Sequence, residues 1–487
     1  MPPVVSVSGS LRQRSAHGVL VIIVLKMAGT IIGRISQLVV PLFLLPSDFG
    51  IFALAVFFSG LLAIGSDFGI SMDLIRRKDG LEEALPTAFT LRMAVATILV
   101  VTSLGVGWAA SIAYSEPRLA FPIVLLSIGL LFQALSMVPR AIATRALDFR
   151  RAAVPDSAGK FSGAFLTIGL AILGLGYWSP VYGALAGVII GSLLQFLATR
   201  WRPRFELRRD VARRMIRFGQ FVTLATIANF VAHSVDNAIV GALLGLAPLG
   251  FYTIAYSWGV YFTSNLTSVL APVTYPVLAR VSESPERFRR AVFENLRYYG
   301  WIAWCLTAGV AVLGPTFVLA VYGPVWQASV APMQLLAPVG LLIGYGAITG
   351  DALYALGRSR TVFLLTWLEV AILVVLLPPA TLYGGLPGTS LAALVGAVVL
   401  SFATARTTSR LVGATSSDWF RTLAPPIAAS LFAAVITSIA LLFLPPSLTT
   451  LGIGVIAFIL LYVLAMEAFT RRRFLADLRG VLRLALS

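Results

Sequence analysis

Along most of this chain, apolar residues fill windows of about twenty positions, and polar residues gather in short clusters between them. A run of that length spans a bilayer as a helix, because each residue rises about 1.5 Å and the hydrocarbon core is about 30 Å thick. Fourteen such runs can be marked, near 18–43, 49–70, 86–113, 119–138, 157–176, 180–199, 218–243, 249–275, 296–320, 328–356, 361–383, 387–405, 422–444 and 449–469. Pro and Gly punctuate many of them, which membrane helices tolerate when neighbours satisfy the freed backbone groups. The pattern predicts an all-α polytopic membrane protein with about 14 transmembrane helices.

The polar clusters test that count. The N-terminal tail, the even-numbered connections and the C-terminal tail carry 33 of the 37 Lys and Arg residues, while the odd-numbered connections carry only Arg118. One missed or invented helix would scramble this alternation from that point on, so the number of spans is even and both termini are expected on the cytoplasmic side. Composition agrees: the chain is 58% hydrophobic and 12% charged with a mean hydropathy of +0.91, about half the charge of a soluble domain. The net charge of +17 is explained by topology, so no nucleic-acid partner is implied. A lone Cys305 excludes a disulfide, and His17 with His233 are too few for a His/Cys metal site. Arg12 and Arg14 before the first run resemble a signal peptide. The run is too long for one and ends in no small-residue cleavage pattern, so a retained first helix is expected.

Three bases remain at membrane depth: Lys26, Arg34 and Arg92. A base at mid-membrane costs about 3 kcal/mol on insertion scales, so its position calls for an explanation. Lys26, Thr30, Gly33, Arg34 and Gln37 follow steps of three and four and share one helical face. That stripe either contacts an anion or pairs with buried carboxylates. Arg92 lies near a helix end, from which it can snorkel to the cytoplasmic face. On the seventh run Thr226, Asn229, His233, Asp236 and Asn237 fall on one face. Asp67, Asp351 and Glu369 are further acids within the apolar runs, where an ionisable group defaults to function unless it is a helix-end or packing partner.

The segments Arg200 to Arg217, Ser282 to Tyr298 and the tail from Arg471 are basic and amphipathic, able to lie along an anionic inner leaflet or to serve as ordinary positive-inside loops. No stretch fits a soluble domain, and no Walker motif, nucleophile elbow or loop pair of catalytic carboxylates occurs. Transport by such a chain is therefore passive or ion-coupled. A weak internal repeat appears at an offset of 200 residues, where Gly50, Phe52 and Ala55 fall on Gly250, Tyr252 and Ala255. Six helices per half give both halves the same orientation, related by an axis along the membrane normal, with a substrate site expected at their interface. In this register Arg34 faces the place of Ser234, beside His233 and Asp236.

Several of these residues carry a family pattern: Leu45-Pro46-Ser47-Asp48-Phe49-Gly50, Asp67-Phe68-Gly69, Leu74-Ile75-Arg76-Arg77, Tyr114-Ser115-Glu116-Pro117-Arg118-Leu119, Arg145-Ala146-Leu147-Asp148-Phe149, Asp236-Asn237, Leu249-Gly250 and Leu356-Gly357-Arg358. In order and spacing, from about residue 18 to 410, the chain resembles the bacterial oligosaccharide flippases. These form the polysaccharide-transporter branch of the superfamily that also holds MATE drug exporters and lipid II flippases. The resemblance implies two six-helix lobes in a MATE-like V around a central cavity, plus two C-terminal helices. The expected plan is a tail 1–17, an N-lobe 18–200, a basic connector 201–217, a C-lobe 218–410, helices 13–14 over 411–470, and a basic tail 471–487.

It also implies a substrate of undecaprenyl-diphosphate-linked oligosaccharide, carried to the outer leaflet of the bacterial inner membrane for exopolysaccharide, capsule or O-antigen synthesis. Polymerase and glycosyltransferases would be partners. No cofactor is implied beyond coupling to a proton or sodium gradient. Arg34, Lys26, Gln37, Arg92, Asn229 and Asn237 are then the expected substrate contacts, and Asp236, His233, Asp67, Asp351 and Glu369 the expected ion-coupling groups. Asp236 can alternatively neutralise Arg34 across the lobes. A drug exporter would want an acidic cavity, which Lys26 and Arg34 oppose; a non-transporting scaffold of polysaccharide enzymes is the other alternative.

Overall fold

The computed structural model describes residues 28–29, 31–67, 69–76, 80–146, 148–199, 201–470 and 474. Their regular structure is helical, with no strand among them. They form two compact units, Met1–Phe230 and Val231–Ser487. Lys26 and the two tails, 1–17 and 471–487, lie outside the described residues, Phe474 excepted.

The first unit comprises α1 (Ile31–Leu42), α2 (Pro46–Asp67), α3 (Ile70–Arg76), α4 (Leu81–Ala113), α5 (Ala120–Arg145), α6 (Phe149–Ile172) and α7 (Trp178–Leu197). The family-pattern residues turn out to include helix caps. Pro46 opens α2, and the Asp48 carboxylate accepts the Leu45 N–H at 3.2 Å, closing its first turn. Asp148 caps α6 by accepting the Arg151 N–H at 3.1 Å. The helices α6 and α7 meet along a seam of small residues, Gly159, Gly163 and Thr167 against Gly183, Gly187 and Gly191. A Cβ at Gly187 would lie 2.8 Å from the Gly159 carbonyl oxygen, so only glycine lets the two backbones approach this closely. In lipid, where apolar burial drives little helix association, close packing of this kind holds a pair together.

The helix α8 (Arg209–Leu244) contains the division between the units. Residues 201–208 before it run without helix along α4. There the Glu206 and Arg208 N–H groups donate to Thr90 Oγ1 and Thr87 Oγ1 at 3.0 and 3.2 Å. Val211 and Met215 of α8 are buried in a cluster with Ile70, Leu74, Phe89 and Val138. Protein therefore covers Val211 and Met215 of the basic connector, while its Phe205 and Leu207 stay exposed.

The second unit continues through α9 (Leu246–Gly259), α10 (Tyr261–Val281), α11 (Pro285–Phe317), α12 (Val330–Ala355), α13 (Ser359–Val412), α14 (Ser416–Leu442) and α15 (Leu448–Phe469). The amphipathic stretch Ser282 to Tyr298 becomes the start of α11. Its Phe288, Val292 and Leu296 are buried with Leu341 and Ile348 of α12, so protein covers the face for which the leaflet was one alternative. Within α13 the chain reverses at Gly385, whose φ of 56° and ψ of −145° suit glycine alone. The two arms then pack antiparallel, with Thr381 and Thr389 hydroxyls 2.9 Å apart and Leu373 and Leu377 against Ala392. The last two helices pack on α11 through Leu313, Ala429, Ala433 and Phe458.

Ten helices among the described residues are long and apolar enough to cross a membrane, against fourteen runs expected. The differences have local causes. Of the first run only residues 28–29 and 31–43 are described, too short a stretch to count as a span. The first half of α6 carries Arg150, Arg151, Asp156 and Lys160. The eighth run breaks at Val260 into α9 and α10, and the eleventh and twelfth join in α13 across the reversal at Gly385. The chain is a multi-pass membrane protein of all-helical fold.

Candidate functional site

The first unit encloses a cavity of about 710 Å³, to which every helix from α1 to α7 contributes. Small residues make it possible: the glycine seam of α6 and α7 removes side-chain bulk from one wall, and Gly29, Gly33 and Ser36 do so on the first helix. Three bases line the space, Arg92 from α4, Arg140 from α5 and Lys160 from α6, with Asp156 among them and Gln133, Ser71 and Ser36 as neutral polar groups.

Arg92 is 6% exposed. Its nearest acid is Asp67, with Nη1 3.9 Å from Oδ1, beyond hydrogen-bond reach, and that same Oδ1 already accepts the Ser71 hydroxyl at 2.7 Å. Arg92 Nε and Nη1 have no hydrogen-bond partner among the described residues. A buried guanidinium with two donors that no described protein group satisfies is an expensive arrangement, since each such donor costs about 1–3 kcal/mol or more unless something in the cavity meets it. Such a group is poised to donate to an anion entering the cavity. Arg140 and Lys160 are arranged differently. Asp156 bridges them, its two carboxylate oxygens 3.1 Å from Arg140 Nη2 and 3.1 Å from Lys160 Nζ, and all three side chains are at least two-fifths exposed. With Asp67 counted against Arg92, the lining keeps one net positive charge.

Arg34 and Gln37 sit on α1, half-buried and hydrogen-bonded to each other, Arg34 Nη1 donating to Gln37 Oε1 at 2.8 Å. The wall of the cavity on that helix is formed by their neighbours Gly33 and Ser36. Lys26 lies outside the described residues. Asn229 is exposed on α8 within the first unit. Of the expected contacts, Arg92 is thus the one the structure brings to the cavity, with Asp67 beside it. Arg140 and Lys160 were missed because they fell among the bases assigned to a cytoplasmic connection, and Asp156 because it lies between runs in that same connection. A signal was present: no Gly or Pro follows Arg140 before Ala146, so α5 keeps its helical course past it.

The second unit holds a separate, much smaller cavity of about 20 Å³. His233 and Asp236 of α8, Tyr256 of α9 and Glu369 of α13 reach it, and the remaining lining is aliphatic. Asp236 and Glu369 are buried, at 6% and 8% exposure. The Asp236 carboxylate accepts the buried Tyr252 hydroxyl at 2.7 Å and the Asn237 backbone N–H at 2.8 Å; Glu369 has no such partner among the described residues. The volume admits about one water or a bare cation. No three His, Cys, Asp or Glu side chains gather closely enough to ligate a metal among the described residues. Asp351, half-buried on α12, does not line this space, and Asn237 contributes through its backbone.

Comparison with known proteins places these features in context. A family model described as "Polysaccharide biosynthesis protein" matches residues 39–331, more than half of the chain. The lipopolysaccharide biosynthesis protein WzxC of Escherichia coli (strain K12) is 24% identical over 317 residues, 64% of this chain and 64% of that protein. The succinoglycan biosynthesis transport protein ExoT of Rhizobium meliloti (strain 1021) is 23% identical over 294 residues, 60% of this chain and 59% of its own length. The match thus spans less than two thirds of either relative. Among solved structures, the lipid II flippase MurJ in an inward closed conformation superposes with a TM-score of 0.78 at 13% identity, over 93% of this chain and 99% of that one, which is a likeness of fold.

Proposed function

The chain belongs to the polysaccharide biosynthesis protein family, and from that premise we propose that it is a flippase for polyprenyl-diphosphate-linked oligosaccharide repeat units. The observation that carries the proposal is Arg92, a buried guanidinium on the wall of a cavity of about 710 Å³ whose Nε and Nη1 have no partner among the described residues. A diphosphate supplies what this group lacks, because guanidinium and phosphate make paired, charge-assisted hydrogen bonds. Arg140 and Lys160 add charge to the same cavity, and Gln133, Ser36 and Ser71 offer hydrogen bonds to sugar hydroxyls. Three bases on the wall oppose a cationic drug as the cargo.

In this proposal Arg92 anchors the diphosphate, and Arg34 with Gln37 forms an accessory pair next to the wall residues Gly33 and Ser36. The substrate is loaded from the cytoplasmic leaflet of a bacterial inner membrane and released to the outer leaflet by alternating access, without covalent chemistry. Both termini are assigned to the cytoplasm from the base alternation. Asp236 and Glu369, two buried acids at one water-sized cavity, are assigned the coupling step, binding a proton or a sodium ion in one conformation and losing it in the other. Glycosyltransferases and a polymerase supply and consume the lipid-linked units.

The test is complementation of a strain lacking the gene and any second flippase. Arg92→Ala should accumulate full-length lipid-linked repeat units on the cytoplasmic side and abolish polymer, while Arg92→Lys retains part of it. Wild-type polymer from the alanine variant at normal protein level refutes the assignment.

A further inference from the structure

On the second unit, α11 and α14 enclose a polar cleft of about 660 Å³ that the proposed transport does not use. Its charged lining consists of Glu286, Arg289, Arg290, Glu294 and Arg297 from α11 with Asp418 and Arg421 from α14. One pair is committed to structure. Arg289 Nη2 donates to both Asp418 carboxylate oxygens at 2.8 and 2.7 Å, and its Nη1 donates to the Gly413 carbonyl at 3.2 Å, tying the two helices together. Arg297 is held over the Tyr298 and Trp301 rings, 5.1 and 5.3 Å from their centroids.

The other charges are open. Arg290, Arg421, Glu286 and Glu294 are exposed and make no ion pair among the described residues. Glu286, Arg290 and Glu294 stand at steps of four on one helical face, a spacing at which opposite charges ordinarily pair. The cleft therefore presents unfilled donors and unfilled acceptors together.

Its surroundings locate it at a membrane surface. It lies at the charged ends of two helices long and apolar enough to cross a bilayer. An aromatic layer flanks it, with Trp419 against Phe293 and Tyr298 against Trp301, each pair 5.2 Å apart, as expected at headgroup depth. Next to Arg421, Phe420 projects 72% exposed, and Leu411 is 42% exposed. Those are apolar contacts for chains continuing into the bilayer.

We propose that this cleft binds one glycerophospholipid whose headgroup carries both a phosphodiester and a primary ammonium, that is, a phosphoethanolamine headgroup. Arg290 and Arg421 take the phosphate, Glu286 and Glu294 take the ammonium, and an acyl chain lies along Phe420. A purely anionic headgroup leaves both glutamates unfilled. A trimethylammonium headgroup cannot donate hydrogen bonds to them.

The experiment uses the full chain in detergent micelles, titrated with phosphatidylethanolamine, phosphatidylcholine or phosphatidylglycerol of identical acyl chains, with bound lipid counted by native mass spectrometry. The expected result is a single site preferring phosphatidylethanolamine over each of the others by about tenfold, equivalent to about 1.4 kcal/mol. The double variant Glu286→Gln/Glu294→Gln should lose the preference over phosphatidylcholine yet still bind phospholipid. Arg290→Gln/Arg421→Gln should weaken binding of every phospholipid. All four positions are exposed, so both variants are expected to fold, and retained thermal unfolding midpoints check this. Equal affinity for the ethanolamine and choline lipids in the unmodified chain overturns the proposal. So does a preference that survives in the glutamine pair. Soluble O-phosphoethanolamine competing as well as the lipid would show that the ligand is not membrane-derived and would likewise overturn it.

Discussion

Replacing Arg92 with methionine separates a functional charge from a structural one, because the two roles predict opposite signs. The side chain is buried, and among the described residues its Nε and Nη1 have no partner and its one ion-pair acid, Asp67, stands 3.9 Å away. Two unfilled charged donors cost about 1–3 kcal/mol each, offset in part by the attraction of Asp67. Asp67 loses little when Arg92 goes, since its side chain is 41% exposed and keeps the Ser71 hydrogen bond. Methionine is of similar length, unbranched and apolar. The purified Arg92→Met protein is therefore expected to be as stable as the unmodified chain or more stable by about 1–3 kcal/mol.

Transport should move the other way. Two charge-assisted hydrogen bonds to a diphosphate are worth about 1.5–3 kcal/mol each, so their loss lowers flipping by about two to four orders of magnitude. The paired assays are thermal unfolding in detergent and polymer formation in a complemented deletion strain. A stability loss above about 2 kcal/mol with transport retained would mean that Arg92 holds α2, α3 and α4 together, and the argument would fail.

Further expectations follow from single contacts. Tyr252→Phe removes the 2.7 Å hydrogen bond to buried Asp236 and should destabilise the protein by about 1–3 kcal/mol in thermal unfolding; an unchanged midpoint would show that another group takes over that oxygen. In proteoliposomes, Asp236→Asn and Glu369→Gln should abolish the response of flipping to an imposed proton or sodium gradient, and variants that still follow the gradient remove these acids from coupling. Gly187→Leu sets a side chain against the Gly159 carbonyl and should part α6 from α7, at a cost of about 3 kcal/mol or more read as a lower midpoint; a variant as stable as the parent would contradict close backbone packing there. Cysteines placed at Ser115 and Phe205 should react with a membrane-impermeant reagent from outside and only after lysis, respectively, and the reverse order would overturn the assigned orientation.

How far the sequence could be read depended on how local the physics is. Burying apolar residues in lipid is scored residue by residue, so the runs at 86–113 and 422–444 appear as α4 and α14 nearly where they were marked. The Gly385 reversal lies in the expected gap between the runs 361–383 and 387–405, although helix on both sides lets the stretch count as one span. The acids Asp236 and Glu369 were recognisable singly, because a carboxylate in an apolar run is costly wherever it points. Their arrival at one cavity depended on α13 folding back on itself and packing against α8, which no run of residues encodes alone.

The bases show the same division most clearly. By itself the sequence determined that the chain crosses the membrane many times and marked Arg34 and Arg92 as bases inside apolar runs, because transfer free energy is additive along the chain. Only the tertiary structure decided which bases meet a cavity. Rotation of α1 sets Gly33 and Ser36 on the wall while Arg34 turns to Gln37, and the seam of α6 and α7 opens the space where Arg92, Arg140 and Lys160 converge. Which face of a helix is turned inward depends on the shapes of its neighbours, and in lipid, with little apolar driving force between helices, those shapes decide.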